Sequence, residues 1–178
     1  AKSLLHEYNS IFLGAIGEQK AVIVLKSLPD SYYIINNFNL AIEPPIYNKN
    51  NGDYIYSIQA DHIVLGPTGV FLIETKNWSK DSINNKDFFS PVEQIKRTNY
   101  ALFIYLNDSN NYINFSLSHN WSSRKVSIHS IILMINNKPI QEFQYVKILS
   151  LNEIIGYIQY FKPIFSYNDV KTIYKLLS

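Results

Sequence analysis

Asp61-His62-Ile63-Val64-Leu65-Gly66-Pro67-Thr68-Gly69-Val70-Phe71-Leu72-Ile73-Glu74-Thr75-Lys76 is the stretch from which the fold can be read. Gly66-Pro67-Thr68-Gly69 combines residues that preset or permit turn dihedrals. The flanks, Ile55 to Leu65 and Val70 to Lys76, read as the two arms of a hairpin. Val70-Phe71-Leu72-Ile73 is apolar on both faces, as in a buried central strand. With a turn over residues 66–69, Leu65 faces Val70, and counting outward brings Asp61 opposite Glu74. Glu74 and Lys76 lie two residues apart, so they share a face. The hairpin therefore gathers two carboxylates and a lysine among Ile, Val, Leu and Phe. Opposed like charges in an apolar sheet are costly. A divalent cation between them turns that cost into a binding site, because hard cations take carboxylate oxygens. A lone Glu-x-Lys on a strand is ordinarily a solvated ion pair of little worth. The apolar flanks and the third charge in register set this one apart.

Outward from the hairpin, the chain alternates helical and extended patterns. His6 to Leu28 carries apolar residues at helical spacing, among them Leu5, Tyr8, Phe12, Ile16, Val22 and Leu25. Gly14, Ala15, Gly17 and Ala21 form a stripe of small residues, and Pro29-Asp30 ends the helix. Residues 32–42 read as a strand, followed by a polar loop holding Pro44-Pro45 and Asn50-Asn51-Gly52. A second polar loop is expected up to Ser90. Pro91, at a first-turn position, opens a helix to about Leu106. Residues 107–123 are expected as loop, Val126–Ile135 and Tyr145–Leu149 as strands, and 151–161 and 168–177 as helices. The order predicts an α/β (α+β) fold, a mixed central β-sheet flanked by helices. No repeat and no Gly-rich phosphate loop is present.

Composition narrows the chemistry. At 178 residues the chain is expected to be one domain with a core of its own. Its 47% apolar and 15% aromatic content excludes a disordered chain. The absence of cysteine excludes a disulfide framework, a cysteine zinc site and a thiol nucleophile. His6, His62, His119 and His129 are too scattered for a histidine cage. A net charge of +2 is too small for bulk attraction to nucleic acid, so any such binding must be local. No apolar run approaches the roughly 20 residues of a membrane span, and the charged start does not read as a signal peptide. A cytoplasmic location without membrane contact is expected. The abundance of Asn, Ile, Tyr and Lys reads as a drift of base composition.

Gly14-Ala15-Ile16-Gly17-Glu18, the segment from Asp61 to Trp78, and Pro91-Val92-Glu93-Gln94 resemble the NERD (nuclease-related domain) family of the PD-(D/E)xK nuclease superfamily. The resemblance covers residues from about 11 to 106, and its central segment is highly specific. It implies a restriction-endonuclease-like αβββαβ core and a single domain over residues 1–178. That core would occupy about 6–135, with a C-terminal strand and helices in 145–178. Asp61, Glu74 and Lys76 fall on the superfamily's Asp and Glu-x-Lys positions. Glu18 falls on the acidic position of the first helix, and Gln94 on the glutamine that begins the later helix. The implied activity is Mg²⁺- or Mn²⁺-dependent hydrolysis of phosphodiester bonds, with DNA expected before RNA. Asp61 and Glu74 would hold the metal with the Thr75 main-chain carbonyl, and Glu18 would reach it through water. Such a cation activates water and polarises the phosphoryl oxygen. Lys76 would orient the water or stabilise negative charge. Gln94 would contact water or the nucleic-acid backbone. A helicase or other motor, in the same chain or a partner, is an implied associate. The alternative is a nucleic-acid-binding or partner-docking module that keeps the fold without turnover.

Other residues carry less. His62 alternates to the face opposite Asp61 and reads as core or support, not as a general base. Trp78 could stack on a base, but packing is the ordinary role of such a residue. Lys80, Lys86, Lys96, Arg97, Arg124 and Lys125 form no linear patch; phosphate positioning is their functional reading and solvation the ordinary one.

Overall fold

A computed structural model describes residues 2–85, 88–107 and 125–178. The described elements are α1 (Lys2–Leu25), β1 (Tyr33–Asn48), β2 (Asp53–Gly66), β3 (Gly69–Lys76), α2 (Lys80–Asn85), α3 (Phe89–Asn107), β4 (Ile128–Met134), β5 (Val146–Ser150), α4 (Ile154–Tyr160) and α5 (Tyr167–Leu177). The strands form a five-stranded sheet in the order β1-β2-β3-β4-β5. β1, β2 and β3 are antiparallel neighbours, while β4 and β5 continue parallel to β3. The sheet is mixed and flanked by helices, and α1, β1–β3, α3 and β4 follow the expected αβββαβ order. Among the described residues, no helix is long and apolar enough to cross a membrane.

β3 lies at the centre because its sequence can be dry on both faces. Val70, Phe71, Leu72 and Ile73 are each 0% exposed. Phe71 and Ile73 join Val64, Ile131 and Leu133 beneath α1 and α4, through Ala21, Leu25, Ile154 and Ile158. Val70 and Leu72 join Ile63, Leu65 and Ile132 beneath α3 and α5, through Val92, Leu102, Val170 and Ile173. Burying each such side chain stabilises the fold by about 2 kcal/mol, so the strand's position is overdetermined. The turn is Pro67-Thr68, closed by a Gly66↔Gly69 pair, and Gly69 has the positive φ of 144° that favours glycine. Its tip is covered: the Thr68 hydroxyl donates to the Ile158 carbonyl at 2.7 Å, and the Pro67 carbonyl accepts from the amides of Ile164 and Phe165 at 2.7 and 3.1 Å.

Two expected loops differ. Pro44 and Pro45 lie inside β1, where the pairing jumps from Ala41↔Ser57 to Ile46↔Ile55. The irregularity holds the prolines, which lack an N–H, out of the ladder. The loop after β3 contains the short helix α2. The loop expected at 107–123 lies outside the described residues apart from Asn107, which ends α3. Lys86, His119 and Arg124 also lie outside them.

Candidate active site

Leu65 pairs with Val70 as counted from the turn, and the β2–β3 ladder runs to His62↔Ile73. It stops one residue short of Asp61 and Glu74. The β1–β2 ladder breaks at the same place, passing from Asn36↔His62 to Phe38↔Ala60. Asn37, in the gap, has a positive φ of 51°, a conformation that Asn tolerates better than most residues. β2 thus leaves its partners at Asp61. The freed Thr75 amide needs an acceptor, and the Asp61 carboxylate supplies it. Asp61 Oδ2 accepts from the Thr75 amide and from Thr75 Oγ1, both at 2.6 Å. The pairing keeps the register counted from the turn up to the residue before Asp61 and Glu74, and Asp61 in addition closes the open end of the strand pair.

Glu74 and Lys76 share the same end of β3. The Lys76 ammonium donates to Glu74 Oε1 at 2.9 Å, with the side chains 21% and 17% exposed for Lys76 and Glu74. Burial pushes the Glu74 carboxyl above its ordinary pKa and the Asp61 charge adds to this, while Lys76 pulls it back. Glu18 on α1 is also raised, first by burial, then by Asp61 and Glu74. It feels both charges because α1 approaches closely at Gly17. A β carbon there would lie 3.1 Å from Asn77 Cβ and 3.2 Å from Ile135 Cγ1.

Two clefts meet at the carboxylates. Glu18, Asp61, Glu74, Thr75 and Lys76 line one of about 400 Å³. Gln94 lies in the other, of about 300 Å³, with Asp61, Glu74, Asn37, Asn39 and Gln59. Glu18 and Gln94 thus flank the pair from separate clefts. A larger cleft of about 530 Å³, beside Tyr100 and Phe103, contains no carboxylate.

The donor chemistry suits a hard cation. Among the described residues, no three His, Cys, Asp or Glu converge closely enough to hold a metal by themselves. A magnesium-like ion needs only one or two carboxylates because it keeps most of its waters. Asp61 and Glu74 supply those, and Asp61 keeps Oδ1 outside its bonds to Thr75. The Ile135 amide donates to the Lys76 carbonyl on the β4 side of β3. Carbonyls alternate along a strand, so that of Thr75 faces β2, the side of Asp61.

The remaining candidates are placed as follows. His62 is 1% exposed and its Nδ1 lies 2.8 Å from Asn36 Oδ1; burial lowers its pKa. The Trp78 ring packs on Phe88 at 4.7 Å. The basic residues of α3 have acidic neighbours in exposed ion pairs. Arg97 donates twice to Asp53 Oδ2, at 3.1 and 2.9 Å, and Lys96 binds Glu93 at 3.1 Å. Lys125 lies over the Phe103 ring at 5.8 Å. Sequence reasoning missed the Thr75 side chain and the amides of Asn37, Asn39 and Gln59. Only the Asn-Phe-Asn alternation of β1 hinted at them.

The family model described as nuclease-related domain matches residues 13–135. The chain belongs to that family. This nuclease-related domain is also 38% identical, over 66 residues and 36% of its length, to an uncharacterised protein of Bacillus anthracis. The match spans 26% of that protein, so the chain corresponds to about a quarter of that relative's length. Among solved structures, it is similar to the small subunit of the heterodimeric restriction endonuclease R.BspD6I. That likeness has 18% identity and a TM-score of 0.40, covering 91% of this chain and 78% of that one.

Proposed function

We propose that this nuclease-related domain hydrolyses phosphodiester bonds, that its substrate is DNA, and that it uses Mg²⁺ or Mn²⁺. The observation that carries the reading is the half-buried Asp61–Glu74 pair beside Lys76, at a strand end that walls two clefts. Even with Lys76 beside it, burial and the Asp61 charge keep the Glu74 carboxyl raised, which costs the fold stability; a cation would relieve it. Asp61, Glu74 and the Thr75 carbonyl would hold the ion, with Glu18 placed to bind one of its waters. When bound, the cation supplies Lewis acidity and makes water a better nucleophile at neutral pH.

The other groups act on the substrate. The Lys76 ammonium, now on Glu74, carries the positive charge that can stabilise the phosphoryl oxygens as they gain negative charge. Gln94, which lines the second cleft, would hold the substrate backbone or a water there. The Thr75 bonds fix Asp61, so its remaining oxygen is preorganised. A cytoplasmic setting, and a helicase or other motor that presents the strand, belong to the same proposal.

The test uses purified protein with linear, circular, single-stranded and double-stranded DNA, in Mg²⁺, Mn²⁺ or EDTA. Cleavage that EDTA stops is expected, with most activity lost in Glu74→Ala and Lys76→Ala while both stay folded. Mn²⁺ should also raise the melting temperature of wild type, since a ligand bound only by the folded state stabilises it. The rise should shrink in Glu74→Ala. Both variants cutting at the wild-type rate would sink the reading. Binding without cleavage, in every metal tried, would favour the docking-module alternative.

A further inference from the structure

We propose that Asn37, Asn39 and Gln59 form an uncharged track that binds the phosphodiester backbone of the strand flanking the cleaved bond. The inference rests on the nuclease reading above and names how the substrate is held. Asn39 and Gln59 are direct cross-strand partners, with β carbons about 5 Å apart. Asn37 sits one pleat closer to Asp61, in the gap of the ladder. All three are exposed, and they share a cleft with Asp61, Glu74 and Gln94. Beneath them, Phe38 and Ala60 are only 3% and 7% exposed. The track therefore lies on rigid core, not on a loop.

The amides of this cleft are unspent. Elsewhere the chain uses such groups to hold itself together. Asn77 donates to the Leu13 carbonyl, Asn99 to that of Ile128, and Asn107 to those of Phe103 and Val126. Asn37, Asn39, Gln59 and Gln94 make no such bond among the described residues. Each offers two N–H donors, which is what phosphate oxygens need. No Lys or Arg lines the cleft. A lysine here would pair with Asp61 or Glu74 and compete for the carboxylates, whereas a carboxamide donates without adding charge. Such contacts release few counterions, so this part of the affinity should be nearly independent of salt. Backbone contacts also position without reading sequence.

Fluorescence anisotropy with short labelled oligo-dT and oligo-dA, in EDTA to prevent cleavage, tests the track. Asn39→Asp and Gln59→Glu keep shape but replace donors with a carboxylate. The double variant Asn39→Ala with Gln59→Ala removes donors and adds no charge. Each should weaken binding about tenfold or more on both oligonucleotides, without steepening the salt dependence. In cleavage assays KM should rise while kcat is kept, since the lost contact is present in both ground and transition states. Gln141→Glu, on a distant exposed loop, is the control. Binding within twofold of wild type in the double Ala variant would overturn the track, and the nuclease reading would stand if wild type still cuts. Weakening confined to oligo-dA would mean that base edges are read, which also overturns it. A wild type that binds neither oligonucleotide and cuts no DNA in Mg²⁺ or Mn²⁺ would overturn both.

Discussion

Asp61→Ala should destabilise the protein by about 2 kcal/mol in the absence of metal, and the sign is set by two opposed effects. Asp61 Oδ2 accepts two bonds of 2.6 Å from Thr75, which is itself only 9% exposed. Bonds to a charged acceptor are worth about 1.5 to 3 kcal/mol each; the half-exposed carboxylate argues for the low end, about 3 kcal/mol together. Removing the charge relieves its repulsion of Glu74, worth about 1 kcal/mol in a water-like dielectric at close range. The hydrogen bonds win. A chain of this size loses about 2–4 °C of Tm per kcal/mol, so a fall of about 4–8 °C is expected. Asp61→Asn keeps an acceptor for Thr75 while removing the charge, and should melt close to wild type. Denaturant titrations of wild type, Asp61→Ala, Thr75→Val and the double variant separate the pair: a coupling of about 1 kcal/mol is expected, because Thr75→Val removes only the hydroxyl bond. An Asp61→Ala protein as stable as wild type, or fully additive effects in the cycle, would refute the claim that Asp61 closes the end of the strand pair.

Two further outcomes follow from the same site. Glu74 titrates above its ordinary value of 4.5 in the folded state, so its ionisation costs stability above the folded pKa, and the cost fades as pH falls toward the unfolded value. Denaturation measured across that window should show metal-free stability falling as pH rises, with a flatter profile in Glu74→Gln. Gly17→Val should destabilise by about 2 kcal/mol, since overpacking a close contact has that scale and the first added carbon already meets Asn77 and Ile135 at 3.1 and 3.2 Å. Melting curves check this, and wild-type stability in the variant would mean that α1 can shift outward freely.

The hairpin was legible because three local signals agree on it: turn chemistry, a doubly apolar strand and charges at a fixed count from the turn. The helix opened near Pro91 and the small residues around Gly17 were legible for similar reasons. What escaped depends on partners distant in sequence. Arg97 is spoken for by Asp53, 44 positions away, and no local pattern shows it. Asp61 takes the Thr75 amide because the β2–β3 ladder ends, and the β1–β2 ladder skips a pair, at one residue, whereas counting from the turn assumes that they continue. The prolines of β1 read as loop because their permitted place in a strand requires knowing which pairings lapse. α2 is one polar helix of 6 residues, too short for periodicity. The unspent amides were hidden by composition, since in so Asn-rich a chain another Asn is unremarked until its neighbours are known.

The covered tip of the hairpin bears on how the chain acquires its structure. The β2–β3 pairing closes over a few residues, and loops that short form in well under a microsecond. The bonds from Ile164 and Phe165 to Pro67 join segments about a hundred positions apart, and such long closures set the slow steps of folding. Until they form, Phe71 lacks Phe161, whose ring lies 5.9 Å away, and the central strand shows an aromatic face to water. Every residue assigned to chemistry precedes position 95, yet a ribosome must deliver α4 and Phe161 before that face is sealed. The nascent chain therefore passes through a stage at which its active groups are all synthesised but its sheet is still adhesive.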